Sequence, residues 1–247
     1  MANASVELQV SIQQLYEVFS SYPVAEKMDV CPCGCNRAAR VGDLYAKPLR
    51  ELERDQLDFY AFCALTTMGN ETDFKHFLPR ILELSVAVLQ DLRLYTDFEV
   101  ITGKLSYTRW RRWPEPERLA IQSFFQTLWR DVLNEKPEPE MEWEDTEKWL
   151  CAIAQAEDDL TPYLAIWVAE DSLEADLALT GLLLQSAVVR DGGSDRNAFW
   201  NRRDDQYQQL RQWVRSPAVE GKLERSAEKW AKTGYEEEFL AAWAIVT

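Results

Sequence analysis

The stretch PEPERLAIQSFFQTLWRDV, residues 114–132, indicates most clearly which fold class the chain adopts. Its apolar side chains recur three and four residues apart, at Ile121, Phe124, Phe125, Leu128, Trp129 and Val132. This spacing places them on one face of an α-helix. Prolines at its start suit a helix beginning, because the N–H groups of the first turn have no helical partner to lose. Residues 114–132 therefore predict a long helix with one buried face.

The same spacing recurs along most of the chain and predicts further helices. They cover about Val6 to Phe19, Pro48 to Gly69, Asp73 to Leu92, Asp145 to Ala156, Thr161 to Glu170, Leu173 to Val189, and two or three segments between Tyr207 and Trp243. Pro79 predicts either a kinked helix or two helices meeting near Leu78. Phe98 to Ile101 is read as a short extended piece. The fold class is all-α, an irregular multi-helix bundle or stacked helical hairpins, with roughly nine or ten helices.

The start of the helix from Leu173 and the division into domains are also predicted from local signals. Asp171 with Glu174 fits an acidic variant of the capping box. The length of 247 residues allows one helical domain, 1–247. Two prolines among acids at 137–141 mark a linker that would separate an N-terminal half, 1–136, from a C-terminal half, 142–247.

Composition favours a cytoplasmic protein. No apolar stretch reaches the roughly 20 residues that would span a bilayer, and the first ten residues lack a basic region followed by an apolar run. The chain has five cysteines, an odd number that does not suggest a disulfide framework. We therefore expect reduced thiols and no membrane association. The sequence leaves the oligomeric state open.

The negative charge is concentrated in one span. The chain has a net charge of −15, and residues 137–190 hold thirteen acids but only two bases. This pattern fits either a solvated face or a surface for a protein partner with basic groups, since clustered charge speeds association with the opposite sign. The predicted contact residues are Glu138, Glu140, Glu142, Trp143, Glu144, Asp145, Glu147 and Trp149. Direct nucleic-acid binding is disfavoured, because it depends on Lys and Arg contacts with phosphate.

One basic segment interrupts this acidic background. Arg109, Trp110, Arg111, Arg112 and Trp113 alternate basic and aromatic side chains. Such a segment can stack bases or hold phosphate. The reading that we favour is that the two tryptophans anchor the segment to the core, while the arginines pair with acids of neighbouring helices.

Three cysteines lie within five residues, at Cys31, Cys33 and Cys35. Zinc takes about four ligands, usually Cys or His, so this run could supply three and Cys63 or His76 a fourth. A redox pair within the run and a tight loop with partly buried thiols are the alternatives. Zinc is thus the one cofactor that the sequence suggests.

Signatures of catalysis are missing from the sequence. His76 is the only histidine, which excludes the HExxH zinc helix, and neither GxxxxGK[ST] nor GxGxxG occurs. Paired acids cannot nominate a hydrolase, because 42 carboxylates bring some together by chance. We therefore name no catalytic residue and favour a non-enzymatic role.

Part of the N-terminal half is similar to other proteins. The residues that carry the similarity are Cys31-Pro32-Cys33, Lys47-Pro48-Leu49, the run from Tyr60 to Gly69, and the run from Asp73 to Leu84 with its Phe77-Leu78-Pro79-Arg80 segment. This stretch, about residues 31–84, resembles a set of uncharacterised bacterial helical proteins. The resemblance implies a bacterial origin and a shared helical core, but no reaction.

Three functions are compatible with these observations. The first is an acidic protein-binding protein, such as an immunity protein or antitoxin that neutralises a basic bacterial toxin. The second is a zinc- or thiol-dependent protein centred on the Cys31–Cys35 loop. The third is a structural scaffold module. Aromatic anchors in a charged surround, such as Trp143 and Trp149, are common at protein interfaces and favour the first.

Overall fold

The structure is a computed structural model that describes residues 4–32, 37–86, 94–135, 144–186, 188–189 and 197–246, with backbone only at 37–39 and 144–145. These ranges contain twelve α-helices and no strand. The helices are α1 Val6–Val18, α2 Arg37–Leu44, α3 Arg54–Cys63, α4 Glu71–Val86, α5 Phe98–Tyr107, α6 Glu115–Leu133, α7 Glu144–Ala156, α8 Thr161–Ala169, α9 Leu173–Gln185, α10 Asp204–Trp213, α11 Pro217–Lys229 and α12 Glu236–Val246. The predicted all-α class is confirmed. Within the same ranges, no helix is both long and apolar enough to cross a membrane.

The chain divides into two compact units, unit 1 at Met1–Leu128 and unit 2 at Trp129–Thr247. The boundary falls inside α6. Residues 137–141, where the sequence suggests a subdivision, lie outside the described residues. Because each unit is compact by itself, each has its own core.

The core of unit 1 forms where α1 and α3 pack against α4. Ser5 begins α1, because its Oγ accepts a hydrogen bond from the backbone N–H of Leu8 at 3.0 Å. Helix α4 runs unbroken through the buried Pro79, so the single-helix alternative is the correct one. Its buried side chains include Phe74, Phe77, Leu78, Ile81 and Leu82.

The core of unit 2 surrounds α9, of whose thirteen residues nine are buried. Helices α7, α11 and α12 pack against it. Trp167 packs edge-on against Trp129 at a ring-centroid distance of 5.3 Å and donates from Nε1 to the carbonyl of Ala175 at 3.0 Å. Ser172 caps α9 by accepting from the N–H of Ala175 at 3.2 Å. The predicted cap at Asp171 is therefore wrong by one residue.

The observed elements differ from the predicted ones in three places. Phe98 to Ile101 is not extended but forms the first turn of α5, whose buried Ile101 and Leu105 lie one helical turn apart. The helix predicted from Pro48 is divided into a 3₁₀ turn, Leu49–Glu51, and α3. Glu53 and Gln56 form a capping box that starts α3 after this turn. Helix α2 was not predicted.

Candidate functional site

Acids of the described part of the acidic span pair with bases that lie elsewhere in unit 2. Asp176 contacts Lys222 at 2.6 Å, Glu170 contacts Arg130 at 3.8 Å, Asp158 contacts Arg203 at 3.6 Å, and Asp171 contacts Lys229 at 2.7 Å. Glu157 is buried and accepts a hydrogen bond from the Tyr163 hydroxyl at 2.9 Å. These four acids are therefore paired with bases, and the acidic span carries less unpaired negative charge than its sequence suggests.

The predicted partner-binding residues fall into three groups. Glu138, Glu140, Glu142 and Trp143 lie outside the described residues, and Glu144 and Asp145 begin α7 without described side chains. Glu147 accepts hydrogen bonds from the Ser186 hydroxyl and, at 3.1 Å, from Nε1 of Trp200. Trp149 is half-buried. Glu147 thus connects α7 to neighbouring elements of its own unit, a role that its sequence position did not reveal.

Helix α12 has an exposed apolar face that its sequence pattern does not reveal. Phe239 and Ala242 are buried, whereas Leu240 and Ile245 on the other side are 45% and 44% exposed. Ala241 and Ala244 complete the exposed face. Residues 239–246 are all apolar, so periodicity cannot separate the buried from the exposed face. We call Leu240, Ala241, Ala244 and Ile245 the α12 stripe.

Acidic and aromatic side chains adjoin the α12 stripe in sequence. Glu236, Glu237 and Glu238 form the first turn of α12, and all three are exposed. Tyr235, which precedes them, is 40% exposed. Carboxylates in a first turn are stabilised by the positive end of the helix dipole, so this charge is compatible with a stable helix. The result is an apolar surface with acids at one end.

The cysteine run begins against the loop that joins α3 to α4. The N–H of Cys31 donates to the carbonyl of Thr67 at 2.9 Å, and the N–H of Gly69 donates to the carbonyl of Asp29 at 2.8 Å. Cys63, the last residue of α3, is 4% exposed. The fold therefore brings the first cysteine of the run to a loop that starts directly after Cys63. Cys33 and Cys35 lie outside the described residues.

That loop has an unusual backbone and a buried cation. Leu65 has a φ of 68°, a left-handed backbone conformation that residues other than glycine rarely adopt. Nζ of Lys104 donates to the carbonyls of Phe62 and Ala64 at 2.9 and 2.8 Å. Burial lowers the pKa of Lys104, while the neighbouring Cys63 acts in the opposite direction. An ammonium group at the C-terminus of α3 also benefits from the helix dipole.

His76 contacts Tyr22 and Phe77. Its Nδ1 lies 2.7 Å from the carbonyl oxygen of Tyr22, and its ring lies perpendicular to that of Phe77 with centroids 4.7 Å apart. Among the residues that the structure describes, no three His, Cys, Asp or Glu side chains are grouped as metal ligands would be. Cys31, Cys63 and His76 are thus not gathered at one point, and zinc stays a prediction that depends on Cys33 and Cys35.

A buried ion pair lies close to the arginine–tryptophan segment. Nζ of Lys75 lies 2.9 Å from Oε2 of Glu117, and each side chain is 7% exposed. The Tyr22 hydroxyl donates to Oε1 of Glu117 at 2.5 Å, and burial followed by this hydrogen bond raises the pKa of Tyr22. Nζ of Lys75 also lies 4.1 Å from the centroid of the Trp113 ring. This network holds the buried Trp113 ring in place.

Both tryptophans of the segment are anchors, as the sequence predicts. Trp110 is 1% and Trp113 6% exposed, while Arg109, Arg111 and Arg112 are exposed. Within the described ranges, however, Arg109 and Arg112 form no ion pair with an acid of a neighbouring helix, contrary to our expectation. The segment therefore exposes its arginines, while its two tryptophans hold it to the core.

Comparison of the chain with known protein families, with curated proteins and with solved structures found no match.

Proposed function

We propose that the protein binds a protein partner with a basic surface, and that the α12 stripe is part of the contact. The supporting observation is an exposed apolar helix face that begins at three consecutive glutamates. An immunity protein or antitoxin that neutralises a basic toxin is the form of this function that we favour.

The apolar side chains of the stripe give the contact its driving force. Leu240 and Ile245 each keep nearly half of their surface in water. Covering both would contribute roughly 1–3 kcal/mol, because fully burying one such side chain contributes about 1.5–3 kcal/mol. A contact of this size needs further residues, and the predicted contacts from Glu138 to Asp145 are the candidates.

The charge of the chain decides the chemistry of the partner. The net charge is −15, and Glu236, Glu237 and Glu238 lie next to the stripe in sequence. A basic partner is attracted by this field, and complementary charge raises the association rate and the specificity more than the affinity. We exclude Glu147 from the proposed contact, because its carboxylate accepts hydrogen bonds from Ser186 and Trp200 within its own unit.

The test is a pull-down with the tagged full chain from bacterial lysate, followed by mass spectrometry at low and moderate salt. The variant Leu240→Ser/Ile245→Ser removes the apolar contact. Val6→Ser/Val10→Ser is the matched control, since both valines are exposed, at 71% and 62%, on α1. We expect one basic protein to be retained stoichiometrically by the wild type and the control but lost by the α12 variant.

Charge reversal separates the two parts of the proposed surface. Glu236→Lys/Glu237→Lys/Glu238→Lys tests the acids of α12, and Glu142→Lys/Glu144→Lys/Asp145→Lys tests the predicted contacts. Each should weaken retention more strongly at low salt, where charges are least screened. The proposal fails if no stoichiometric basic partner is found, or if the Val6 and Val10 control loses it equally.

A zinc- or thiol-dependent role at the Cys31–Cys35 loop is the second candidate. It is favoured by the hydrogen bond from the N–H of Cys31 to the carbonyl of Thr67, which brings this first cysteine of the run to the loop after Cys63. Metal analysis of the purified chain, beside Cys33→Ser/Cys35→Ser, tests it. About one zinc per chain, lost in the variant, would support this function. A metal-free chain with unreactive thiols would leave the scaffold role as the alternative to partner binding.

A further inference from the structure

The segment from Arg109 to Trp113 is a tight turn that brings two arginines together. Arg109 has a left-handed backbone, with φ 55° and ψ 46°, and its carbonyl accepts a hydrogen bond from the N–H of Arg112 at 2.8 Å. A turn closed in this way holds its end residues within about 7 Å between Cα atoms. The side chains of Arg109 and Arg112 therefore start from neighbouring points.

The turn rests on a rigid base. Trp110 is 1% exposed, and the guanidinium of Arg111 lies 5.1 Å from the centroid of its ring. Trp113 packs edge-on against Phe19 with centroids 6.1 Å apart and also contacts the ammonium of Lys75. The backbone that carries the two arginines is held in this way and has little conformational freedom to lose on binding, which favours affinity.

The charge of the turn is not balanced locally. Residues 109–118 hold four arginines and two glutamates, and one of these, Glu117, is engaged by Lys75 and Tyr22. The other, Glu115, is exposed. Within the part of the chain that the structure describes, Arg109 and Arg112 have no ion-pair partner.

This arrangement has a cost for the fold. Like charges repel at the turn, and a non-glycine residue in the left-handed region costs on the order of 1 kcal/mol. A position that breaks local rules without a visible gain for stability is where function is expected. We propose that the Arg109–Arg112 turn binds a phosphate monoester, with Arg109 and Arg112 holding its oxygens. This site is independent of the α12 stripe.

The chemistry of the ligand follows from the number of cations and from the rest of the chain. A guanidinium group binds carboxylate or phosphate through two parallel hydrogen bonds. One carboxylate is satisfied by one arginine, whereas a phosphate monoester carries nearly two charges and three terminal oxygens and can engage two. A long polyanion is repelled by a chain of net charge −15. Such a phosphate monoester belongs either to a small phosphorylated molecule or to a phosphorylated side chain of a protein.

Calorimetric titration of the full chain at constant ionic strength tests the site. The probes are inorganic phosphate, a short phosphoserine peptide, the same peptide without phosphate, and a short oligouridine. The test variant is Arg109→Gln/Arg112→Gln. The control is Arg202→Gln/Arg225→Gln, which removes the same charge from two other exposed arginines.

We expect saturable binding of inorganic phosphate or of the phosphopeptide, weakened about tenfold or more in the test variant and little changed in the control. Arg109→Lys/Arg112→Lys keeps the charge but not the paired donors, so it should bind with intermediate affinity. Binding of inorganic phosphate alone would point to a small molecule, and tighter binding of the phosphopeptide to a protein. The circular dichroism of every variant should match that of the wild type.

The site is refuted by any of three results. These are no saturable binding of either inorganic phosphate or the phosphopeptide, equal loss of binding in the test and control variants, and tighter binding of oligouridine than of both phosphate probes. The last result would assign the turn to single-stranded nucleic acid instead.

Discussion

The carboxylate of Asp176 lies 2.6 Å from the ammonium of Lys222, and their side chains are 3% and 5% exposed. Nε1 of Trp230 donates to the second oxygen of Asp176 at 2.8 Å, and Lys222 donates to the carbonyl of Glu170 at 2.5 Å. The acidic span thus contributes a buried ion pair that joins α9 to α11.

Removing one partner of this pair should destabilise unit 2 strongly. Lys222→Met leaves the buried charge of Asp176 uncompensated, and we expect a loss of about 3–5 kcal/mol in the free energy of unfolding. Lys229→Met is the control, because its partner Asp171 is 85% exposed and solvent screens the pair, so this variant should lose much less stability than Lys222→Met. Urea denaturation measures both. Equal losses would contradict the structural role of Asp176.

Two glycines should respond to alanine in opposite directions. Gly69 has a φ of 66°, and an added Cβ would lie 2.9 Å from the Cβ of Asp73. We expect Gly69→Ala to cost about 2 kcal/mol through backbone strain and this contact. Gly103, inside α5, has open space around its missing Cβ, so Gly103→Ala should stabilise by about 0.5–1 kcal/mol. Thermal unfolding that shows the same sign for both would rule out this explanation.

Two tyrosine hydroxyls of unit 1 should contribute differently to the free energy of unfolding. The Tyr16 hydroxyl donates to Oε2 of Glu83 at 2.5 Å, so Tyr16→Phe should lose about 1–2 kcal/mol. The Tyr60 hydroxyl is buried and has no hydrogen-bond partner among the described residues. Tyr60→Phe should therefore be neutral or stabilise by up to about 1 kcal/mol. Chemical denaturation at neutral pH compares them, and a loss in Tyr60→Phe equal to that in Tyr16→Phe would show that its hydroxyl is satisfied.

Stability should fall at alkaline pH. Burial is the largest cause that raises the pKa of four tyrosines above 10.0, namely Tyr16, Tyr22, Tyr45 and Tyr60. Above about pH 10 the unfolded chain releases these protons while the folded chain retains them, so the unfolded state binds fewer protons and stability decreases. The contribution is complete below that pH and is lost as the pH rises through the folded values.

The size of this effect can be tested at Tyr60, which is 1% exposed. One tyrosine that stays protonated only in the folded state contributes a slope of about 1.4 kcal/mol per pH unit. Tyr60→Phe should reduce the slope measured by urea unfolding between about pH 10 and 11. Tyr107→Phe, at a side chain 69% exposed, is the control. An unchanged slope in Tyr60→Phe would contradict the retained proton.

The fold class could be predicted because most helices have one apolar face. Helix α6 is an example, since its buried residues Ile121, Phe124 and Leu128 follow the helical period. Segments without a clear period were misread. The four residues from Phe98 are too few for a period to appear, and only the structure shows that the helix continues to Tyr107.

The candidate site could be predicted only in part. The anchoring role of Trp110 and Trp113 follows from large apolar rings in a charged segment. The pairing of Asp176 with Lys222 does not, because the two residues are far apart in sequence and only the packing of α9 against α11 brings them together. The α12 stripe was missed for a similar reason, since only tertiary packing decides which side of a uniformly apolar helix is covered.

The division at Leu128 also separates the chromophores of the chain. Two of the ten tryptophans, Trp110 and Trp113, belong to unit 1 and the other eight to unit 2, whereas six of the nine tyrosines belong to unit 1. Tryptophan emission therefore reports mainly on unit 2, and the ultraviolet absorbance of ionising tyrosine reports mainly on unit 1. The native chain carries its own optical labels, and the order in which its two halves melt can be followed without attaching a dye.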